Sequence, residues 1–226
     1  MKVNYHIDLE SYRLDKFRQD LESREVTRSR RLLKEDIPGN FVILEGQGIR
    51  SLQQLSDALK TKKKLEEFSR ASGLSEDYLV LLKREVGSYT PKPFNLSKVP
   101  ATDPEVSDKF EAVGIKNTRH LFDRGQTRLE RAQLSRQTGL PESAVLEMMR
   151  IADLSRIWGV GPFFTRILYE AGYESVQAVA GADLDKMYQE VNQVNKEKGY
   201  TPIMASKGEV GMCIDYAKLL PVAVEY

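Results

Sequence analysis

Apolar residues along this chain recur at three- and four-residue spacings, and glycine, proline or a capping side chain interrupts them at short intervals. Ser75 is placed to cap EDYLVLLKREV, Ser175 to cap VQAVAGA and Asp183 to cap LDKMYQEVNQVNKEK. Ser206 and Glu209 have capping-box spacing before MCIDYAKLL. Gly48, Gly114 and Gly172 each follow a helical apolar pattern, as do Gly73 and Gly139 after LEEFSRAS and RAQLSRQT. Glycine suits the left-handed residue just past a helix end, where a β-carbon is penalised. From His6 to Glu25 the positions of Ile7, Leu9, Tyr12, Leu14, Phe17 and Leu21 predict a helical arm that caps the stack or reaches a neighbouring subunit. β-branched residues do not alternate with polar ones, and no Asn-Gly or Asp-Gly hairpin turn occurs. The expectation is an all-α protein of short helices.

The same punctuation repeats. Shifted by 66 residues, Phe41–Arg84 falls on Ser107–Arg150 with 12 identities in 44 positions, against about three expected from ordinary composition. Gly48/Gly114, Thr61/Thr127 and Gly73/Gly139 are among them. A shift of 58 residues sets Leu96-Ser97-Lys98-Val99 on Leu154-Ser155-Arg156-Ile157, Pro104 on Pro162 and Gly114-Ile115 on Gly172-Tyr173. About three diverged copies are expected. The first is shortened between Leu33 and Phe41, and the third is stretched before Gly199. Gly87-Ser88-Tyr89-Thr90-Pro91-Lys92-Pro93 stops helix propagation. It divides the chain into residues 1–90, the arm and first copy, and residues 91–226, the second and third copies.

Composition narrows the function classes. A net charge of +1 gives no global field toward nucleic acid or an anionic membrane, so any such contact must be a local patch. The single Cys213 excludes an internal disulfide and reads as a small buried hydrophobe, consistent with a reducing cytoplasm. No signal peptide or membrane-length apolar stretch is present. His6 and His120 have no metal-ligand spacing, and no nucleophile elbow, P-loop or HExxH occurs. A non-enzymatic protein with no catalytic residues, metal, cofactor or small-molecule substrate is expected.

The third copy carries the most specific motif: Leu154-Ser155-Arg156-Ile157-Trp158-Gly159-Val160-Gly161-Pro162-Phe163-Phe164-Thr165-Arg166-Ile167-Leu168. It resembles a helix-hairpin-helix, with Gly-hydrophobic-Gly between two helices and a small residue, Thr165, four positions after the second glycine. Val160 is expected to point inward, and Trp158 to pack beneath the loop. In DNA-binding relatives of this motif, loop amides and the helix start hold a phosphate oxygen without reading a base. The resemblance implies Gly159, Val160 and Gly161 as amide donors, with Arg156 and Arg166 as nearby charge. The segment from Leu96 to Tyr226, with LSRQTGLPESAVLEMMRIADLSRIWGVGP and YAKLLPVAVEY, is similar to a bacterial family known as domain of unknown function 4332, which implies a helix-hairpin-helix-type fold and no activity.

The other copies depart from the motif. The second has Ala101-Thr102-Asp103-Pro104 in place of the hairpin, and Asp103 repels a phosphate; the first has only Ile37-Pro38-Gly39. Phe163 and Phe164 cannot both face inward, so one is expected in solvent. Three basic runs are candidate anion surfaces or simply solvated faces: Arg24, Arg28, Arg30, Arg31 and Lys34; Lys60, Lys62, Lys63 and Lys64; and Arg124, Arg128, Arg131 and Arg136. Two readings follow. One is a sequence-independent contact with a DNA or RNA backbone through the hairpin, Arg124 and Arg128. The other is a protein-interaction or self-assembly scaffold that kept the fold and lost most of its phosphate-binding hairpins.

Overall fold

The computed structural model describes residues 2–26 and 28–226, which form helices, turns and loops with no strand. The chain folds as two units. The N-terminal unit is Ile7–Thr90; the other combines the described part of Met1–His6 with Pro91–Tyr226.

In the N-terminal unit, α1 (Leu14–Ser23) and a 3-10 segment (Arg28–Lys34) precede α2 (Ile37–Gly46), α3 (Leu52–Ala58), α4 (Lys62–Ser72) and α5 (Glu76–Gly87). Phe17, Leu21, Phe41, Leu44, Leu55, Leu79, Leu82 and Tyr89 fill its interior. The expected arm helix is corrected here, because it begins only at Leu14. Before it, the backbone is drawn away by α3: Leu52 N–H donates to the Tyr12 carbonyl and Leu14 N–H to that of Arg50, each at 2.9 Å.

The C-terminal unit contains α6 (Pro104–Ala112), α7 (Thr118–Gly125), α8 (Arg128–Thr138), α9 (Glu142–Leu154), α10 (Pro162–Glu170), α11 (Val176–Ala180), α12 (Leu184–Lys198) and α13 (Lys207–Leu219). Its first core joins Phe110, Leu121, Phe122, Leu134, Val145 and Met149 with Tyr5 from the start of the chain and Val224 from its end. Leu168, Val176, Val179, Met187, Val191, Val210 and Ile214 are buried along α10 to α13.

The same bonds recur at the spacings read from the sequence. Gly48, Gly114 and Gly172 have φ of +81°, +81° and +87°. After them, Ile49, Ile115 and Tyr173 donate back to Leu44, Phe110 and Leu168, closing α2, α6 and α10 in the same way. Ser51, Asn117 and Ser175 cap α3, α7 and α11, and Thr61, Thr127 and Asp183 cap α4, α8 and α12. The stretch in the third copy is α12, with 15 residues against 11 in α4 and in α8. Thr118 N–H donates to Phe94 at 3.0 Å, as Leu52 does to Tyr12. At the matching place in the third copy the chain is the end of α9, and the Asp153 carboxylate accepts from Val176 N–H at 3.0 Å.

Candidate nucleic-acid interface

The Ile157–Val160 turn is built from the backbone. Ile157 N–H donates to Leu154 at 3.1 Å and Val160 N–H to Ile157 at 3.3 Å. Gly159 stands at φ +81°, the conformation required at the third position of such a turn. Val160 is buried, and the Thr165 hydroxyl donates to the Gly161 carbonyl at 2.8 Å. Trp158 lies against Tyr216, with ring centroids 5.0 Å apart. Of the two phenylalanines after Pro162, Phe163 is 50% exposed.

The second copy keeps this turn without its glycines. Val99 N–H donates to Leu96 at 3.1 Å and Thr102 N–H to Val99 at 3.3 Å, as in the third copy. Ala101, the counterpart of Gly159, takes φ +56°, at a steric cost that glycine avoids. In the first copy the left-handed residue is Asp36 at φ +43°, which itself starts the helix. This is how the loop is shortened.

The three helix starts differ in one respect. Asp36 accepts from Gly39 N–H and caps α2; Asp103 accepts from Glu105 N–H and caps α6. Gly161 has no side chain to place over the start of α10. The amides of Phe163 and Phe164 therefore have no side-chain capping acceptor where the other copies carry their own carboxylate.

The arginines expected to assist are engaged elsewhere, which corrects their assignment. Arg156 is 1% exposed. Its Nη1 pairs with Asp153 at 2.6 Å, Nε donates to the Tyr5 carbonyl at 3.2 Å and Nη2 to that of Pro221 at 3.0 Å. Its guanidinium lies 4.7 Å from the Phe122 ring centre. Tyr226 reaches the other Asp153 oxygen at 3.0 Å; burial, and then the Asp153 charge, push this phenol's pKa above its usual range. Asp153 and Arg156 thus fasten both ends of the chain to the C-terminal unit. Arg166 pairs with Glu147 at 2.8 Å and donates to the Pro100 carbonyl at 2.8 Å and the Thr102 hydroxyl at 3.2 Å. It clasps the second copy's turn. A charged guanidinium is retained at such depth only with partners of this kind.

Arg124 donates to the Val113 carbonyl at 2.7 Å and to Gln137 at 3.0 Å, and Arg128 donates to the Tyr226 carbonyl. Val160 is buried as its place between two glycines suggests, whereas the arginines' partners lie far along the chain and leave little trace in the local sequence. The spacing of Asp153 and Arg156 was the one available signal, as a one-turn ion pair. Cys213 is buried, and burial pushes its thiol pKa up to about 12, which makes it inert at neutral pH. No helix of the described residues is long and apolar enough to cross a membrane.

The chain is an all-α protein in which α2 and α6 start under an aspartate cap and α10 starts at Gly161 without one. The family described as domain of unknown function (DUF4332) matches residues 100–220, and the chain belongs to it. The matched span starts in the second copy's turn and runs through α13, leaving the N-terminal unit outside. No curated protein and no solved structure matches the chain.

Proposed function

We propose that the recurring units are helix-hairpin-helix-type modules, and that the protein is a non-enzymatic cytoplasmic module that holds a nucleic-acid backbone without reading its sequence. The carrying observation is the start of α10, where Gly161 leaves open the position that Asp36 and Asp103 fill in the other copies. A phosphate oxygen there would take the place of those carboxylates. With Arg156 and Arg166 occupied, this seat is made of amides alone.

Gly161→Asp tests the reading. Gly161 has φ −85° and ψ −178°, ordinary extended backbone, and nothing lies within 4 Å of an added β-carbon. The aspartate is expected to cap α10 as Asp103 caps α6, raising stability over the glycine cap by about 0.3 kcal/mol while occupying the anion position. Fluorescence anisotropy with labelled double- and single-stranded DNA and RNA across a salt series should show weaker binding by a folded, stabilised variant. Equal binding by both proteins would remove the hairpin from the interface.

A second reading, a protein-interaction or self-assembly scaffold, is favoured by Phe163, an aromatic ring half in solvent beside that same helix start. A concentration-dependent oligomer by light scattering, abolished by Phe163→Ser, together with no nucleic-acid binding at low salt, would select it.

A further inference from the structure

The fold draws part of two of the three basic runs into internal bonds, while Arg28, Arg31 and Arg136 stay exposed. Arg24 and Arg30 both pair with the carboxylate of Glu85, and Lys34 Nζ donates to the carbonyls of Leu21 at 2.6 Å and Glu22 at 3.1 Å. In the third run, Arg131 donates to the carbonyls of Gly125, Gln126 and Glu225, beside the bonds of Arg124 and Arg128 already described. The run at the α3–α4 turn stays in solvent, with the side chains of Lys62 and Lys63 89% and 85% exposed. Lys83 from α5 joins it, its Nζ 2.7 Å from the Lys60 carbonyl, and Lys64 Nζ lies 3.2 Å from that of Asp57.

These lysines stand where helix electrostatics disfavours them. The first turn of α4 carries Lys62, Lys63 and Lys64 and no acid, at the positive end of the helix dipole. The corresponding turn of α8 holds Glu130 in a capping box with Thr127, and that of α12 holds Asp185. Compensation is slight: Glu66 lies 3.6 Å from Lys62 and Glu67 4.0 Å from Lys63, both exposed pairs of the kind that contribute little. Two copies thus place an acid at this position, and the N-terminal unit concentrates positive charge there.

We propose that Lys60, Lys62, Lys63, Lys64 and Lys83 form a phosphate-backbone contact in the N-terminal unit, supplying charge that the hairpin arginines do not. The proposal rests on the nucleic-acid reading above. Lysine ammoniums on mobile stems suit a regularly charged polymer, whereas lysine is depleted from protein interfaces. Leu59 and Leu65, the apolar residues within the run, are buried, which leaves no side chain to insert into a bilayer.

The test uses the full chain, a labelled DNA duplex, a salt series and the triple variant Lys62→Gln, Lys63→Gln, Lys64→Gln. The log–log salt slope is expected to fall by about 0.9 for each phosphate no longer neutralised, so by up to about 2.7, with the wild-type slope restored by Lys62→Arg, Lys63→Arg, Lys64→Arg. The urea midpoint of the glutamine variant should rise, because charge is removed from the wrong end of α4. Wild-type binding with an unchanged slope in the glutamine variant overturns this proposal and leaves the nucleic-acid reading standing. No wild-type binding at low salt overturns both. Wild-type binding to phosphatidylserine vesicles but not to the duplex also overturns it, and assigns the lysines to a membrane surface.

Discussion

Arg156→Leu separates a structural arginine from a phosphate ligand. The change removes the 2.6 Å pair with Asp153, the bonds to the carbonyls of Tyr5 and Pro221 and the approach to the Phe122 ring. The side chains of Arg156 and Asp153 are both 0% exposed, so water cannot replace the missing partner. Breaking such a buried pair costs about 3–5 kcal/mol, a large part of a domain's usual 5–15 kcal/mol or so. At roughly 2–4 °C per kcal/mol, the midpoint should fall by roughly 6–20 °C. The single tryptophan, Trp158, packs on Tyr216 in the same unit, so its fluorescence during urea unfolding reads the relevant transition. Adding Asp153→Leu to Arg156→Leu should recover part of the loss, since no buried charge is then orphaned. A destabilisation below about 1 kcal/mol, with nucleic-acid binding abolished, would refute the reasoning and return Arg156 to the phosphate site.

The left-handed turn positions give a pair of opposite expectations. Gly159→Ala has space for its β-carbon, so only backbone strain opposes it, at about 1–2 kcal/mol against about 0.4–1 kcal/mol gained through the unfolded chain. A net loss of roughly 0.5–1 kcal/mol is expected, and Ala101→Gly should gain a similar amount; changes of the same sign in urea unfolding would show that the two turns are not equivalent. His6 provides a pH dependence. Its Nδ1 is buried without a hydrogen-bond partner, and burial, then Arg119 and Arg156, hold its pKa below the usual value against a smaller opposing effect of Asp123. The unfolded chain therefore binds this proton more readily, and stability should fall as pH drops through about 6.5. Urea midpoints between pH 5.5 and 7.5 should vary less in His6→Gln than in wild type; an identical dependence would remove His6 as its source.

Much of the local structure was fixed by side chains acting on their own backbone. Glycine past a helix end, serine or aspartate before its start and proline in its first turn have the same consequence wherever they stand. Gly48, Gly114, Ser75, Ser175, Asp183 and the Ser206–Glu209 box could therefore be placed without any tertiary knowledge, and Val160 could be expected to point inward. The arm's apolar spacing suits a helix as far back as Ile7, yet Tyr12 and Leu14 instead hydrogen-bond across to Leu52 and Arg50, in a segment distant along the chain.

What only the tertiary structure decided was the fate of the charges. An arginine beside a hairpin has the same sequence signature whether it faces solvent or a buried carboxylate, because burial depends on residues distant in the chain. Tyr5, Pro221 and Phe122 surround Arg156, and Pro100 and Glu147 receive Arg166. The sequence determined helices, caps and turns through short-range bonding and sterics. Packing then determined which cations were drawn inside to satisfy carbonyls and acids, and left the α4 lysines in water.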